Sequence, residues 1–185
     1  MFVLDESISV SNTEYKQSLT WINNVLAPFK LDIDADNVRV GVVGFSNKDY
    51  SDTSVRIPLQ KQSASTLTGS ITELINTRKR GSTYIGFGIT IAGYELMDKQ
   101  RKDIPNIMIV ITDGVATDAT TDIESAVKDA GKLGAKMIAV GIGQTNAQQL
   151  ELIAGSKTRV HHVSNYKQLP TLVSSVDKQI AESCK

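Results

Sequence analysis

Three runs constrain what this chain can fold into: residues 2–4, 38–45 and 106–112 are its most apolar stretches, and each runs directly into polar residues. Apolar runs of strand length suit strands covered on both faces, which is the situation of a parallel sheet packed between helices. Their polar tails then fall at the C-terminal ends of the strands, where open α/β sheets form their binding crevice. The first run is expected at the centre of the sheet, with 38–45 on one side of it and 106–112 on the other.

The segments between these runs read mainly as helices. Ser11 and Glu14 have the spacing of a capping box, and Tyr15, Leu19, Ile22, Leu26 and Phe29 recur at helical intervals, so residues 11–29 form an amphipathic helix that ends near Pro28. Ser54-Val55-Arg56-Ile57, closed by Pro58, is expected as a short antiparallel edge strand. Leu67, Ile71, Leu74 and Ile75 mark a second helix. Ile85, Ile89, Ala92 and Leu96 mark a third, in which Gly86, Gly88 and Gly93 allow a close approach to the sheet. Thr121 and Glu124 are expected to cap a helix carrying Ile123, Ala126, Val127, Ala130 and Leu133, which Gly134 stops before a strand over 136–141. Asn146 and Gln149 open a short helix, residues 159–163 supply a last strand, and Leu169, Leu172, Val173, Val176 and Ile180 define a closing helix. This β-α-β alternation predicts an α/β fold: a doubly wound, mostly parallel, Rossmann-like sheet with helices on both faces and one short antiparallel edge strand.

Composition narrows the function classes. At 185 residues the chain suits one well-buried domain, residues 1–185, and is too short for two ordinary ones. The formal charge of +0 offers no basic field for nucleic acid or for an anionic membrane, and no apolar run is long enough to cross a bilayer. Cys184 is the single cysteine, so an internal disulfide is excluded; it is either a free thiol or a partner for a cysteine outside this chain. The very short lead before the first strand gives the expectation that the natural protein continues upstream.

The polar loops carry the chemistry. Asp5, Ser7 and Ser9 follow the first run at intervals of two, Thr83 lies in the turn Arg78-Lys79-Arg80-Gly81-Ser82-Thr83, and Asp113-Gly114 ends the run at 106–112. Taken singly, such residues are turn and cap formers. Three such loops at the tips of neighbouring strands form an oxygen-rich cup, and hard oxygens of mixed charge suit Mg²⁺, Mn²⁺ or Ca²⁺ better than zinc.

Across essentially its whole length the sequence resembles the von Willebrand factor A domain family, whose metal-ion-dependent adhesion site combines Asp-x-Ser-x-Ser, a threonine in a Gly-rich turn and an aspartate ending the fourth strand. The matching residues are Asp5, Ser7, Ser9, Thr83 in Gly81-Ser82-Thr83-Tyr84-Ile85-Gly86, and Asp113 in Ile111-Thr112-Asp113-Gly114. Val42-Val43-Gly44-Phe45-Ser46, Ala139-Val140-Gly141-Ile142-Gly143 and Val163-Ser164-Asn165-Tyr166 also look like that family's strand ends. The resemblance implies a secreted, non-enzymatic adhesion or matrix-binding module with a divalent cation, Mg²⁺ foremost and Mn²⁺ or Ca²⁺ as alternatives. It implies an extracellular protein ligand, such as collagen or another matrix protein, that completes the coordination with an Asp or Glu. It also favours a disulfide from Cys184 to a segment outside this chain.

Two other functions compete. A metal-assisted phosphohydrolase of the haloacid-dehalogenase type also places an aspartate after strand one, but Asp5-Glu6-Ser7 lacks that family's second aspartate two residues on. A structural spacer with an idle metal site is the third reading. Arg78-Lys79-Arg80 reads as a solvated basic face, and His161-His162 as strand residues whose rings point to opposite faces. Asp118 and Asp122 read as turn and cap residues, and Gly141-x-Gly143 lacks the third glycine of a dinucleotide fingerprint.

Overall fold

A computed structural model describes residues 1–183. Its six strands are β1 (Phe2–Asp5), β2 (Val40–Phe45), β3 (Ser54–Gln60), β4 (Asn106–Thr112), β5 (Ala135–Ile142) and β6 (Val160–Val163). They form one sheet in the order β3-β2-β1-β4-β5-β6, parallel except for the β2–β3 pair. The helices are α1 (Asn12–Leu26), α2 (Lys30–Asp34), α3 (Ala64–Glu73), α4 (Ile85–Lys99), α5 (Thr120–Lys132), α6 (Ala147–Ala154) and α7 (Val173–Ser183), with short 3-10 turns between some of them. Strand β1 is central as expected: Phe2 is level with Val42 of β2 on one side and Ile109 of β4 on the other.

The period of two along the strands divides the core into two layers. Phe2 and Leu4, Val40 and Val42, Ile109 and Ile111, and Ile138 and Val140 face α1, α2, α3 and α7. Met1 and Val3, Val43 and Phe45, Met108 and Val110, and Met137 and Ala139 face α4, α5 and α6. With both faces covered, the central strands need an apolar residue at nearly every position, which is why they read as continuous runs.

Several local expectations are met and several are corrected. Ser11 and Glu14 form the reciprocal capping box, and Asn146 caps α6 by accepting from the Gln149 backbone N–H. The N-cap of α5 is Ala119, with no side-chain cap, so Thr121 and Glu124 do not cap it: the extended backbone at Ala119 (φ −63°, ψ 147°) starts the helix before the box-like spacing begins. The edge strand continues through Pro58 to Gln60, since proline on the free edge forfeits no ladder hydrogen bond and the Glu95 carboxylate satisfies the next N–H, that of Leu59. Strand β2 begins at Val40, because Val38 still bonds back to Asp32 and Arg39 pairs with Asp36. The expected disulfide of Cys184 lies outside the described residues.

Helix α4 crosses the sheet closely at Gly88, where an added Cβ would sit 2.8 Å from Phe45 Cβ. Gly86 instead gives room to the α5 backbone at Ile123, and Gly93 has open space around it, so the three glycines do not share the role expected of them. Gly88→Ala is therefore expected to cost about 1–3 kcal/mol by overpacking. Gly93→Ala is expected to be neutral or to stabilise by up to about 1 kcal/mol through helix propensity. Urea unfolding of both variants checks the pair, and equal losses would contradict the packing described.

Candidate functional site

The strand order reverses direction between β1 and β4, which both leave the sheet at the same edge. That reversal is the topological switch point, where loops diverge and leave a crevice above the strand tips. Asp5 ends β1 and Asp113 directly follows β4, so the sheet itself carries the two carboxylates there.

Asp5 is buried and fixed through both oxygens: the Ser7 backbone N–H donates to Oδ1 at 2.8 Å, and the Thr112 hydroxyl donates to Oδ2 at 2.7 Å. The Ser9 hydroxyl donates to Asp113 Oδ1 at 2.7 Å and lies 2.9 Å from the Ser7 hydroxyl. The Ser9 proton is directed to Asp113, and the Ser7 hydroxyl stands between Ser9 and Asp5. The loops after β1 and β4 are thereby joined through side-chain oxygens alone.

The Thr83 loop closes the cup from the third side. Ile8 N–H donates to the Gly81 carbonyl at 2.8 Å, and the Thr117 N–H to the Thr83 carbonyl at 2.8 Å. The Thr83 hydroxyl lies 3.7 Å from where a Cβ on Gly114 would stand, ordinary contact distance, which places Thr83 beside the loop after β4. All five residues singled out in the sequence, Asp5, Ser7, Ser9, Thr83 and Asp113, thus lie on loops that meet at one end of the sheet.

Burial is the largest influence on both carboxylates. It raises Asp5 from 3.8 to about 6 against the hydrogen bonds from Ser7 and Thr112, and the charge of Asp113 pushes in the same direction. Asp113 is raised as well, by burial first, while the Ser9 and Tyr166 hydroxyls favour its charged form. In the window from about 4 to about 6 the folded metal-free protein holds a proton on Asp5 that the unfolded chain has released. In EDTA, stability is therefore expected to fall as pH rises through that window, and Asp5→Asn is expected to flatten the change. Thermal unfolding at stepped pH checks this, and a wild-type profile that rises there instead would oppose it.

A ring of residues outside the five holds the first loop. Glu6 is fully buried and points away from the cup: Arg56 Nη2 meets its Oε2 at 2.7 Å, the Tyr15 hydroxyl donates to Oε1 at 2.8 Å, and the Lys79 N–H donates to Oε2 at 3.0 Å. Gly44 makes room for that carboxylate, since a Cβ there would lie 2.2 Å from Oε1. Arg78 is no solvated basic residue; its guanidinium donates to the Ser7 and Val10 carbonyls and stacks over the Tyr15 ring at 5.0 Å. Lys79 and Arg80 are exposed as expected.

Asp118 does cap a helix, but it is α4, through the Gly86 N–H at 2.9 Å, and Asp122 sits in the first turn of α5 opposite Lys48. His161 and His162 turn to Gln179 and to the Gly143 carbonyl respectively and share no site. Thr112, Tyr166 and Arg78 contribute to the site without having been read as site residues. Their partners are 71 or more positions away for Arg78 to Ser7 and for Thr112 to Asp5, beyond the reach of any local pattern.

The donor set fits a hard divalent cation by its chemistry: two carboxylates and three hydroxyls, with neither nitrogen nor sulfur among them. Among the described residues no group of three or more His, Cys, Asp or Glu side chains is placed to hold a metal ion, so any cation here depends on the hydroxyls as well.

The chain belongs to the von Willebrand factor type A domain family, whose model matches residues 1–175. The human collagen alpha-5(VI) chain is 30% identical over 174 residues, covering 93% of this chain and 6% of the collagen chain. Human matrilin-1 is 25% identical over 185 residues, covering 99% of this chain and 36% of matrilin-1. Among solved structures, proximal thread matrix protein 1 from the mussel byssus, with a zinc-occupied MIDAS motif, superposes with a TM-score of 0.83 at 23% identity, covering 95% of this chain and 46% of that one. At that identity the likeness carries the fold.

Proposed function

We propose that this chain is a divalent-cation-dependent adhesion or matrix-binding module, part of a longer extracellular protein, in which Asp5, Ser7, Ser9, Thr83 and Asp113 hold the cation. The observation that carries the reading is the 2.7 Å bond from Ser9 to Asp113, which brings the loops after β1 and β4 together through oxygen side chains at the switch point. The family match and the matrix proteins among the relatives support the same reading. Mg²⁺ is the proposed cation, with Mn²⁺ and Ca²⁺ as alternatives; the mussel protein of the same fold is named with a zinc-occupied MIDAS motif, which supports a metal in the reading proposed for this chain. A cation held there supplies residual positive charge and an exchangeable water position that suits a carboxylate from the partner. The protein's own part is to keep the oxygens converged and to leave one side open.

The partner is proposed to be a matrix protein, collagen among the candidates, presenting Asp or Glu. Hydrolase chemistry is disfavoured by Glu6, the carboxylate nearest in sequence to Asp5, since Arg56, Tyr15 and the Lys79 N–H occupy it and turn it away from the cup. Surface-binding assays on immobilised collagens and other matrix proteins, first in Mg²⁺ and then in EDTA, test the proposal. Binding that EDTA abolishes and Mg²⁺ restores is expected. Binding that EDTA leaves unchanged would move the interface elsewhere on the domain.

A further inference from the structure

Three backbone carbonyls on the loops around the cup are committed to protein donors. Gly81 O accepts from the Ile8 N–H, Thr83 O from the Thr117 N–H and Ser46 O from the Tyr84 N–H. Two carbonyls of the first loop, those of Ser7 and Val10, are held by the positively charged guanidinium of Arg78, and Ser7 O also accepts the Val10 N–H at 3.3 Å. Arg78 Nη2 lies 2.8 Å from Ser7 O, and Nη1 lies 3.1 Å from Asn12 Oδ1. Its guanidinium carbon lies 5.0 Å from the centre of the Tyr15 ring, and Tyr15 is fixed in turn by its hydroxyl on Glu6. A cation at either carbonyl would face a like charge at hydrogen-bonding distance.

We propose that Arg78 sets the cation selectivity of this site: by holding the Ser7 and Val10 carbonyls it restricts the donors to side-chain oxygens and so favours Mg²⁺ and Mn²⁺ over Ca²⁺. The inference rests on the cation reading given above. Ca²⁺ gathers six to eight oxygens, backbone carbonyls often among them, whereas Mg²⁺ accepts fewer protein ligands and keeps its waters. A cup of two carboxylates and three hydroxyls with its carbonyls withheld serves the smaller ion. Arg78 is thus a positioning residue that acts through the loop carbonyls without touching the ion.

A merely structural arginine would change the affinities for all cations by a common factor, so the readout is their ratio. Calorimetric titration of the chain with Mg²⁺, Mn²⁺ and Ca²⁺, alongside Arg78→Met and Arg78→Lys, with circular dichroism in EDTA to verify folding, supplies it. The unaltered chain is expected to prefer Mg²⁺ to Ca²⁺ by about tenfold or more, and folded Arg78→Met to narrow that ratio to about threefold or less. Arg78→Lys keeps the charge but loses the planar fork, and is expected between the two. Should Arg78→Met fail to fold, the lysine variant decides: a ratio unchanged in it overturns the inference, as does an unchanged ratio in folded Arg78→Met or a Ca²⁺ preference in the unaltered chain. Absence of binding by all three cations has a different signature and overturns the cation reading itself, and this inference with it.

Discussion

Arg56→Met is expected to lower the unfolding free energy by about 3–5 kcal/mol, the scale of breaking one partner out of a buried ion pair. The Arg56 side chain is 9% exposed and the Glu6 carboxylate it pairs with is 0% exposed, so little water is available to take over when the guanidinium is removed. Tyr15 and the Lys79 N–H would remain as donors, but neither carries charge. The buried Glu6 carboxylate then loses the one charged group in direct contact with it, which raises the energy of the folded state. Adding Glu6→Met to Arg56→Met is expected to recover most of the loss, because an apolar pair of similar size often equals or exceeds a buried ion pair in stability. Urea unfolding of the two single variants and the double variant measures this coupling. A loss under about 1 kcal/mol for Arg56→Met would show that the pair is effectively solvated.

The consequence reaches the site because Glu6 lies between Asp5 and Ser7 in the chain. Its carboxylate anchors the first loop to edge strand β3 through Arg56 and to the third loop through the Lys79 N–H. Loosening that anchor moves the Ser7 and Ser9 hydroxyls relative to Asp113, so cation binding should weaken along with stability in Arg56→Met.

The fold was legible in this sequence wherever burial dictates composition. A central strand covered on both faces has little freedom of residue choice, and the runs at 2–4 and 106–112 fall in β1 and β4, while 38–45 overlaps β2 from Val40 onward. The placement of Asp5 and Asp113 was legible for the same reason, since a polar residue directly after such a run stands at a strand tip. What stayed hidden depends on pairings between distant residues. Arg78 beside Lys79 and Arg80 carries the local signature of a solvated basic turn; only the fold brings the Ser7 and Val10 carbonyls and the Tyr15 ring to it. Asp118 looks like a cap for the helix that follows it, yet it serves Gly86, 32 positions earlier. The Thr121–Glu124 spacing is that of a capping box, and backbone geometry at Ala119 overrides it. Local patterns thus located most of the elements and the strand tips, while the contacts that support the first loop lie beyond any local window.

Asp113→Ala is expected to abolish the stabilisation that Mg²⁺ gives the folded chain while leaving the metal-free protein at least as stable as its parent. A cation that binds only the folded state adds about 2.7 kcal/mol when its free concentration is a hundred times the dissociation constant. For a chain of this size that is a rise of several degrees, on the order of 5–10 °C, in the unfolding temperature. Removing Asp113 deletes one of the two carboxylates in the proposed shell and strands the Ser9 hydroxyl that donates to it. In EDTA the balance runs the other way. Burial disfavours the charged form of Asp113, and its charge adds to the burden on buried Asp5, so its loss relieves a repulsion that the hydrogen bonds from Ser9 and Tyr166 offset only in part. Thr83→Ala removes a neutral oxygen and is expected to reduce the Mg²⁺ effect without abolishing it. Thermal unfolding in EDTA and in rising Mg²⁺, run on all three proteins, separates the terms. If Asp113→Ala kept the full Mg²⁺ shift, the cation would be bound away from the tips of β1 and β4, and the proposed ligand set would have to be given up.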